Sequence, residues 1–384
     1  MNFDLSFVAN DPELNGSNGI YRANKQQNIA KVDTDQEAVN AFLREYQHSP
    51  ATFRTYSKEA QRVLMWANLY LGKPLSSMDR EDFHAYMKFM ANPDPEWVGK
   101  KVNKDTGDWR PFTGPLSESG KKTAVASINS MMTWLVNAGY LVGNPMGLIR
   151  QRSKKTSKDD VEIERFLDDD MWSALLTVVE TMETKTKGDR FVKERMRFML
   201  TTFALLGARV SEISTIQMGH FRHTVNGWFW YVTGKGDKDA RVAMPQGMVD
   251  GLIRWREFIG LPPVPDRAET YPALVFSDKS GNPLLDKPPI KPRRINQILK
   301  SFFEKASAEL IAGGQRSKAH LIKKASAHWL RHTSITQKVN AGIERDIVRM
   351  EARHSDSRTT DGYVHNQSKE RANQAQKHKI NWSN

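Results

Sequence analysis

Apolar residues recur at helical spacing through much of the chain. After a polar, aperiodic stretch over residues 1–35, the pattern predicts a first helix from about Asp35 to Tyr46. Ser49 and Pro50 then have the form of a helix start, with proline at the first helical position. The apolar positions that follow it are spaced three and four residues apart: Phe53, Tyr56, Ala60, Val63, Leu64 and Ala67. Further helices are predicted from Asp79 and over residues 119–137, the second of them ended by Gly139.

Residues 91–118, between these last two helices, are rich in proline, glycine and charge and predict a long surface loop. Trp97, Trp109 and Phe112 are interleaved there with basic residues. Such a mixture could contact DNA, but aromatic rings more often anchor a loop to its own domain. We favour the anchoring role for these three rings.

The second half of the chain has a mixed pattern. It is preceded by IRQRSKKTSKDD (149–160), a polar, basic stretch without periodicity that predicts a linker. Most later segments are helical, but Trp228–Thr233 and Arg241–Met244 are β-rich runs around the glycine turn at 234–236. The predicted fold class is therefore mainly α with a small antiparallel β-sheet. The predicted parts are a flexible arm (1–35), a helical domain (36–148), a basic linker (149–165) and an α+β domain with a C-terminal tail (166–384).

Composition narrows the classes of function. The 384 residues contain no cysteine, which excludes disulfides, zinc fingers and thiol catalysis. Lys and Arg number 57 against 44 acidic residues, and the net charge of +13 suggests a polyanionic partner such as double-stranded DNA. An ordinary solvated basic surface is the alternative. Eleven basic and three acidic residues fall between 100 and 158, so that stretch alone carries +8. The basic residues expected to contact DNA are Lys100, Lys101, Arg110, Lys121, Lys122, Arg150, Arg152, Lys154 and Lys155.

Neither a membrane span nor a secretory signal is apparent. No apolar run approaches the roughly 18 residues of a membrane helix. The first residues lack a basic start followed by an apolar stretch. We therefore expect no membrane partner and a cytoplasmic location.

Four separated segments of the second domain carry candidate chemistry: GARVSE (207–212), TGKGDK (233–238), HWLRH (328–332) and ARHSDSRTTDGYVH (352–365). Arg209 follows an apolar helix, and Glu212 three residues later could hold its planar fork toward a phosphate. A surface ion pair is the commoner case. Lys235 lies in a glycine turn, where lysines are usually only solvated. The nucleotide-binding pattern GxxxxGK[ST] is absent from this turn.

His328 and Arg331 are three positions apart and share a helix face. His328 and His332 are four apart, as in zinc proteases, but Trp329 stands where those enzymes need a glutamate. A metal site is therefore disfavoured. Tyr363, taken alone, is typical of a packed aromatic residue with its hydroxyl at the surface.

The order of these segments resembles the tyrosine recombinases of the phage integrase family. That family carries an arginine in G-x-R-x-S-E, a lysine in a G-K-G hairpin, H-x-x-R-H, and an ending L-G-H-S…T-T…Y-x-H. The matching residues are Gly207, Arg209, Ser211, Glu212, Gly234, Lys235, Gly236, His328, Leu330, Arg331, His332, His354, Ser355, Thr359, Thr360, Tyr363 and His365. The resemblance covers roughly residues 165–370, and residues 36–150 resemble the family's helical core-binding domain. Ala352-Arg353 replaces the family's usual Leu-Gly, and Arg353 could shift the local turn or add a phosphate contact.

The resemblance implies a site-specific recombinase that cleaves and rejoins DNA through a 3′-phosphotyrosine link. Two arginines would bind the non-bridging phosphate oxygens, and His354 would donate another hydrogen bond. Tyr363 would attack phosphorus, His328 would accept or relay its proton, and Lys235 would protonate the leaving 5′-oxygen. Arg209 and Arg331 are those arginines, with Glu212 supporting the first.

The resemblance further implies a metal- and ATP-independent reaction without a cofactor, and a homotetramer assembled on two DNA sites. Accessory DNA-bending proteins are possible partners, and the expected setting is integration or excision of a mobile element in a bacterial cell, on the nucleoid. Three alternatives stay open, one of them a telomere-resolving role. A type IB topoisomerase uses the same chemistry to relax supercoils, and a DNA-binding protein without catalysis would have lost one of the catalytic residues.

Overall fold

The computed structural model of the chain describes residue 8 and residues 11–103, 106–149, 166–233 and 239–353. The chain divides into two compact units, Met1–Ser157 and Lys158–Asn384. Lys235, His354, Tyr363 and the four basic residues from Arg150 to Lys155 lie outside the described residues, as do residues 150–165 of the proposed linker.

The first unit is helical, as the apolar spacing predicts. Its helices are α1 (Asp35–Arg44), α2 (Pro50–Met65), α3 (Arg80–Ala91) and α4 (Glu118–Asn137), and α2 continues into a π-helical turn at Trp66–Leu71. Thr34 and Asp79 cap α1 and α3 with reciprocal side-chain and backbone hydrogen bonds, and Ser117 caps α4. The buried faces of these helices form one apolar core with Phe42, Trp66 and Met131 at its centre.

Residues 11–33 do not form the loose arm that their lack of periodicity suggests. The Tyr21 amide donates to Ser76 O, and Arg22 pairs with Leu141 in an isolated bridge while its guanidinium stacks on Tyr140 at 3.9 Å. The buried Asp35 accepts from the Tyr140 hydroxyl at 2.8 Å. Polar and main-chain contacts hold this segment, and they leave no hydrophobic pattern in the sequence.

The loop between α3 and α4 is anchored by its own aromatic rings. Trp97 and Phe112 are fully buried, and Val98 and Phe112 form a parallel bridge. Arg62 donates to Pro111 O at 2.8 Å and lies over the Phe112 ring, while its charge is balanced by buried Glu59. Trp97 and Phe112 therefore have the anchoring role that the sequence favoured for them.

The second unit is α+β, which confirms the predicted fold class. Its helices are α5 (Asp169–Thr181), α6 (Lys187–Leu206), α7 (Val210–Thr215), α8 (Gln246–Phe258), α9 (Pro292–Ala312), α10 (Arg316–Ile322), α11 (Ala327–Asn340) and α12 (Arg345–Ala352). Its strands are β1 (Phe221–Thr224), β2 (Gly227–Thr233), β3 (Asp239–Ala243), β4 (Phe276–Ser277) and β5 (Pro283–Leu284). No helix among the described parts of the chain is both long and apolar enough to cross a membrane.

The antiparallel order β1–β2–β3 contains the strand pair expected from the sequence, with Trp230 opposite Val242. The pattern missed β1, whose four residues include the polar Arg222 and His223. Trp230 is fully buried in an apolar core shared with α5, α6, α8 and α9. The helix α11 packs against α6 and α12, and α12 also packs against β3. The segments that carry the candidate chemistry are therefore attached to one framework.

Candidate active site

Arg209 is set by the end of α6 and the start of α7. Gly207 adopts left-handed backbone geometry (φ 56°) and ends α6, and Arg209 is the N-cap residue of α7. Glu212, one turn into α7, accepts from the Arg209 backbone amide at 2.6 Å and from its Nη1 at 2.8 Å. The carboxylate therefore anchors both the main chain and the guanidinium of Arg209, whose side chain remains 33% exposed.

Arg331 comes from α11 and is only 3% exposed. Its Nη1 donates to the carbonyl oxygen of Gly207, and its Nη2 donates to that of Ala352. A guanidinium with fixed N–H directions suits such bridging between two carbonyls. Arg331 thus joins the end of α6 to the end of α12.

Both arginines donate hydrogen bonds to carbonyl oxygens at the end of α12. Arg209 Nη2 donates to Arg353 O at 3.2 Å, next to the carbonyl that accepts from Arg331. Carbonyl groups at a helix C-terminus have no partners within the helix and carry partial negative charge, which favours cations there. Arg209 and Arg331, separated by more than a hundred positions in sequence, meet directly before His354.

Arg353 occupies the centre of this arrangement. Its backbone is left-handed (φ 55°). Its Nη2 and Nε donate to the two oxygens of Glu212 at 2.7 and 3.1 Å, and its guanidinium lies 5.0 Å from the centre of the Trp230 ring. The expectation of a phosphate contact does not fit this position, since the side chain is buried on Glu212. The local turn is instead the one that glycine would adopt.

Glu212 is buried between positive charges. Burial by itself would raise the pKa of its carboxyl group, but the charge of Arg353 and hydrogen bonds from Arg209 and Arg353 outweigh that effect, and the pKa lies below its usual range. Glu212 is therefore ionised at neutral pH. It offsets part of the positive charge that three guanidinium groups bring to this region.

His328 and His332 face each other on α11, with their Nε2 atoms 2.7 Å apart. One ring nitrogen must donate and the other accept, so these atoms can share a proton. No group of three or more His, Asp or Glu side chains suited to a metal ion occurs among the described residues. The exposed His328 can accept a proton from a group that approaches the surface of α11.

Three of the predicted catalytic residues, Lys235, His354 and Tyr363, are not described, but two of their flanking elements are. The strand β2 ends at Thr233 and β3 begins at Asp239, so Lys235 belongs to the connection between two paired strands. His354 follows Arg353 directly. Because α12 packs against β3, both connections start from one packed framework.

The basic residues of the first unit lie on its loop and on α4. Lys100, Lys101 and Lys122 are exposed, whereas Lys121 pairs with Glu118 at 2.6 Å. Arg110 is half-buried and donates to the carbonyls of Gly107 and Trp109. Both hydrogen bonds come from Nη1 and hold that end of the side chain on the loop, and a DNA contact by Arg110 stays a prediction.

Sequence reasoning missed the roles of Gly207 O, Trp230 and the carbonyls at the end of α12. Gly207 belongs to the motif, but it acts here through its carbonyl oxygen, a role that does not depend on the type of residue. The replacement of glycine by arginine at 353 was the one available signal for the partnership with Glu212.

The chain is similar in sequence to known proteins. The sequence pattern of the Phage integrase family matches residues 165–370, more than half of the chain. A tyrosine recombinase of Thermosipho africanus is 22% identical over 83% of this chain and 89% of its own length. Tyrosine recombinase XerC of Corynebacterium efficiens is 26% identical over 67% of this chain and 72% of its own length.

Solved structures share the fold. The site-specific recombinase XerH, in a post-cleavage complex with a palindromic difH substrate, superposes with a TM-score of 0.59 at 14% identity, over 94% of this chain and 90% of that one. The Tn1549 transposon integrase bound to transposon right end DNA gives a TM-score of 0.51 at 15% identity, over 86% of this chain and 94% of that one.

Proposed function

The chain belongs to the phage integrase family and is a site-specific tyrosine recombinase, a DNA strand transferase, and from this premise we propose that it cleaves and rejoins DNA through a covalent 3′-phosphotyrosine link to Tyr363. One observation carries the proposal. Arg209 and Arg331 converge on the carbonyls of residues 352 and 353, immediately before His354 and ten positions before Tyr363.

The proposed first step is attack of the Tyr363 oxygen on phosphorus. A DNA phosphodiester carries one negative charge, and more gathers on the non-bridging oxygens in the transition state. Arg209 and Arg331 stabilise that charge, and His354 donates a further hydrogen bond. A free tyrosine hydroxyl has a pKa near 10, so neighbouring cations and His328 as proton acceptor are needed to make it a nucleophile at neutral pH.

The bond that breaks joins phosphorus to the 5′-oxygen of the next nucleotide. Lys235 gives its proton to that oxygen, which leaves as a 5′-hydroxyl while the 3′-phosphate stays on Tyr363. In the second step a 5′-hydroxyl attacks the phosphotyrosine and the tyrosine oxygen leaves. The number of phosphoester bonds is unchanged, so rejoining needs no ATP, and the arginines supply the charge stabilisation that a metal ion supplies elsewhere.

The basic surface of the first unit is the proposed DNA-binding part. Phosphate contacts give most of the affinity of such proteins, and each neutralised phosphate steepens the dependence of binding on salt by about one unit of slope. Lys100, Lys101 and Lys122 are exposed and suited to this role. Lys100→Gln should weaken binding to all DNA sequences alike and reduce the slope by about one.

The proposed biological setting is integration or excision of a mobile element. Relatives include the Tn1549 transposon integrase and Xer recombinases, some of them solved in complexes with their DNA. Exchange between two duplexes involves two sites and four strands, so the proposed active form is a homotetramer, with the tail after Tyr363 serving assembly. Truncation after about Lys369 should spare binding to one site and impair pairing of two; unchanged recombination would contradict the tail's role.

Tyr363→Phe tests the nucleophile. The substitution removes one oxygen, so DNA binding should stay close to wild type while the denaturation-resistant protein–DNA adduct disappears. Tyr271→Phe, at a half-buried position distant in sequence, is the matched control and should retain the adduct. An adduct that persists in the Tyr363 variant would mean that another residue attacks phosphorus.

A two-site recombination assay run beside supercoil relaxation separates this proposal from a type IB topoisomerase. We expect exchange of DNA between cognate sites and weak relaxation of plasmids that lack them. Rapid relaxation of any supercoiled plasmid without exchange would favour the topoisomerase.

A further inference from the structure

Arg353 adopts a conformation that is costly for its residue type. Within the described ranges, Lys31 and Arg353 are the non-glycine residues with positive φ, at 52° and 55°. Left-handed geometry brings a β-carbon close to the next carbonyl oxygen, so surrounding contacts must maintain it. Lys31 is exposed, whereas the Arg353 side chain is 5% exposed. The contacts that hold Arg353 are therefore those of its buried guanidinium.

Those contacts converge on Glu212 and on main-chain carbonyls. Nη2 lies 2.7 Å from Glu212 Oε2, and Nε lies 3.1 Å from Oε1. Nη1 donates to Glu351 O at 2.7 Å, within the same turn, and Nη2 also lies 3.4 Å from Gly207 O. Trp230 closes one side of the guanidinium.

We propose that Arg353 is a positioning residue, whose guanidinium forms with Glu212 a buried clamp that holds Arg209 in place and sets where the chain leaves α12 toward His354. This inference rests on the proposed strand-transfer function. Arg353 contacts Arg209 twice, through its own carbonyl at 3.2 Å and through the shared carboxylate. One residue thereby links the first catalytic arginine to the segment that carries the histidine.

Glu212 accepts hydrogen bonds from both Arg209 and Arg353, and this sharing explains how Arg353 affects the position of Arg209. Oε2 is occupied by Arg353 Nη2 and by the Arg209 amide, and Oε1 accepts from both Arg209 Nη1 and Arg353 Nε. Arg209 therefore uses one guanidinium nitrogen on the carboxylate. If Arg353 were removed, each oxygen would regain one acceptor position, and a second guanidinium nitrogen of Arg209 could bind there, which would draw its fork away from a phosphate.

A direct phosphate contact by Arg353 is the competing role, and the pairing of its guanidinium with the Glu212 carboxylate argues against it. To reach DNA, the guanidinium would have to give up its hydrogen bonds to the Glu212 carboxylate and to two carbonyl oxygens. Arg209, 33% exposed, is far better placed to meet a phosphate. Lysine at 353 could supply charge but not the two-pronged contact to Glu212.

The experiment is a double-mutant cycle of Arg353→Gln and Glu212→Gln, with Arg353→Gly and Arg353→Lys beside it. Single-turnover cleavage, DNA affinity and its salt dependence, and urea unfolding without DNA are measured for each. Lys31→Gly is the matched control, because it relieves the same backbone strain at an exposed site in the first unit.

We expect R353Q and R353G to slow cleavage by about 10- to 100-fold, the size of effect that misplacement of a catalytic group produces, with affinity and salt slope unchanged. R353K should recover part of the rate. The R353Q/E212Q pair should lose less than the sum of its single variants, in cleavage and in unfolding. K31G should cleave like wild type.

Wild-type cleavage by both R353Q and R353G would overturn the proposal, as would additive losses in the cycle. Weaker binding with a smaller salt slope would assign Arg353 to a phosphate instead. If the wild-type protein formed no covalent adduct with DNA, that result would reject the proposed strand-transfer function. The unfolding cycle would still decide whether Glu212 and Arg353 form a clamp, and additive unfolding energies would reject it.

Discussion

Arg331 donates a hydrogen bond to the carbonyl oxygen of Gly207, the residue two positions before Arg209. Arg331, proposed as the second phosphate-binding arginine, thus contacts the backbone that carries Arg209, proposed as the first. Because the same guanidinium also reaches Ala352 O, a displacement of any one of these segments is transmitted to the other two. The site depends on main-chain positions as much as on its side chains.

Gly207→Ala should therefore damage catalysis more than stability. A β-carbon there would sit 3.2 Å from Ser334 Oγ in a left-handed backbone, a strain of about 1–2 kcal/mol. Arg331 donates to the Gly207 carbonyl, and Arg209 lies two positions further along the chain, so a shift of Gly207 should displace both guanidinium groups. Cleavage should therefore slow by about 10-fold or more. Thermal unfolding and single-turnover cleavage measure the two effects.

Gly260→Ala is the control for that substitution. Gly260 also has positive φ (85°), follows the C-cap residue of α8, and has open space where a β-carbon would stand. It should lose similar stability while keeping the wild-type cleavage rate. Equal cleavage rates in the two variants would show that strain at Gly207 does not reach the arginines.

Lys235→Ala should slow cleavage by about 10²–10⁴-fold, the usual contribution of a general acid, with a much smaller change in DNA affinity. The decisive substrate replaces the bridging 5′-oxygen with sulfur. A thiolate leaves without a proton, so the defect should largely vanish on that DNA. An equal defect on both substrates would remove Lys235 from the role of acid and turn attention to Lys238.

The pH dependence of stability should report on Glu212. Its pKa in the folded protein lies below that in the unfolded chain, so its charge stabilises the fold above the ordinary glutamate range. That contribution should be lost as the pH falls from the unfolded pKa through the lower folded pKa. Urea unfolding at a series of acidic pH values should show a shallower decline for Glu212→Gln; a parallel decline would mean that Glu212 is not held ionised.

Cleavage should continue in excess chelator. The proposed stabilisation of the phosphate comes from Arg209, Arg331 and His354. A covalent-adduct assay after exhaustive treatment with EDTA, with and without added Mg²⁺, measures this directly. Activity that stops with the chelator and returns with magnesium would contradict the mechanism.

The sequence predicts the helical first unit, the α+β second unit and the β2–β3 pair because each rests on periodic burial of apolar residues or on glycine turns. It fails at residues 11–33, where Arg22, Tyr140 and Asp35 hold the chain by polar contacts between distant positions. No local pattern records a contact across more than a hundred residues.

Within the site, the motif identifies Arg209, Glu212 and Arg331, because their spacing follows the family pattern. It does not reveal that Arg331 binds carbonyl oxygens, since backbone acceptors have no residue type. Arg353 could be noticed only as a departure from glycine. The sequence suggested a shifted turn or a phosphate contact, whereas the structure has the turn that glycine would form and a buried partner for the side chain.

The pairing of Arg353 with Glu212 also has an evolutionary consequence. Removing Glu212 first would leave a buried guanidinium uncompensated, a loss of about 3–5 kcal/mol in comparable buried pairs. Losing the arginine first would leave Glu212 still paired with Arg209. Substitution at these two positions therefore has a preferred order, in which the arginine at 353 can be replaced while the glutamate remains, but the glutamate cannot be lost while the arginine remains.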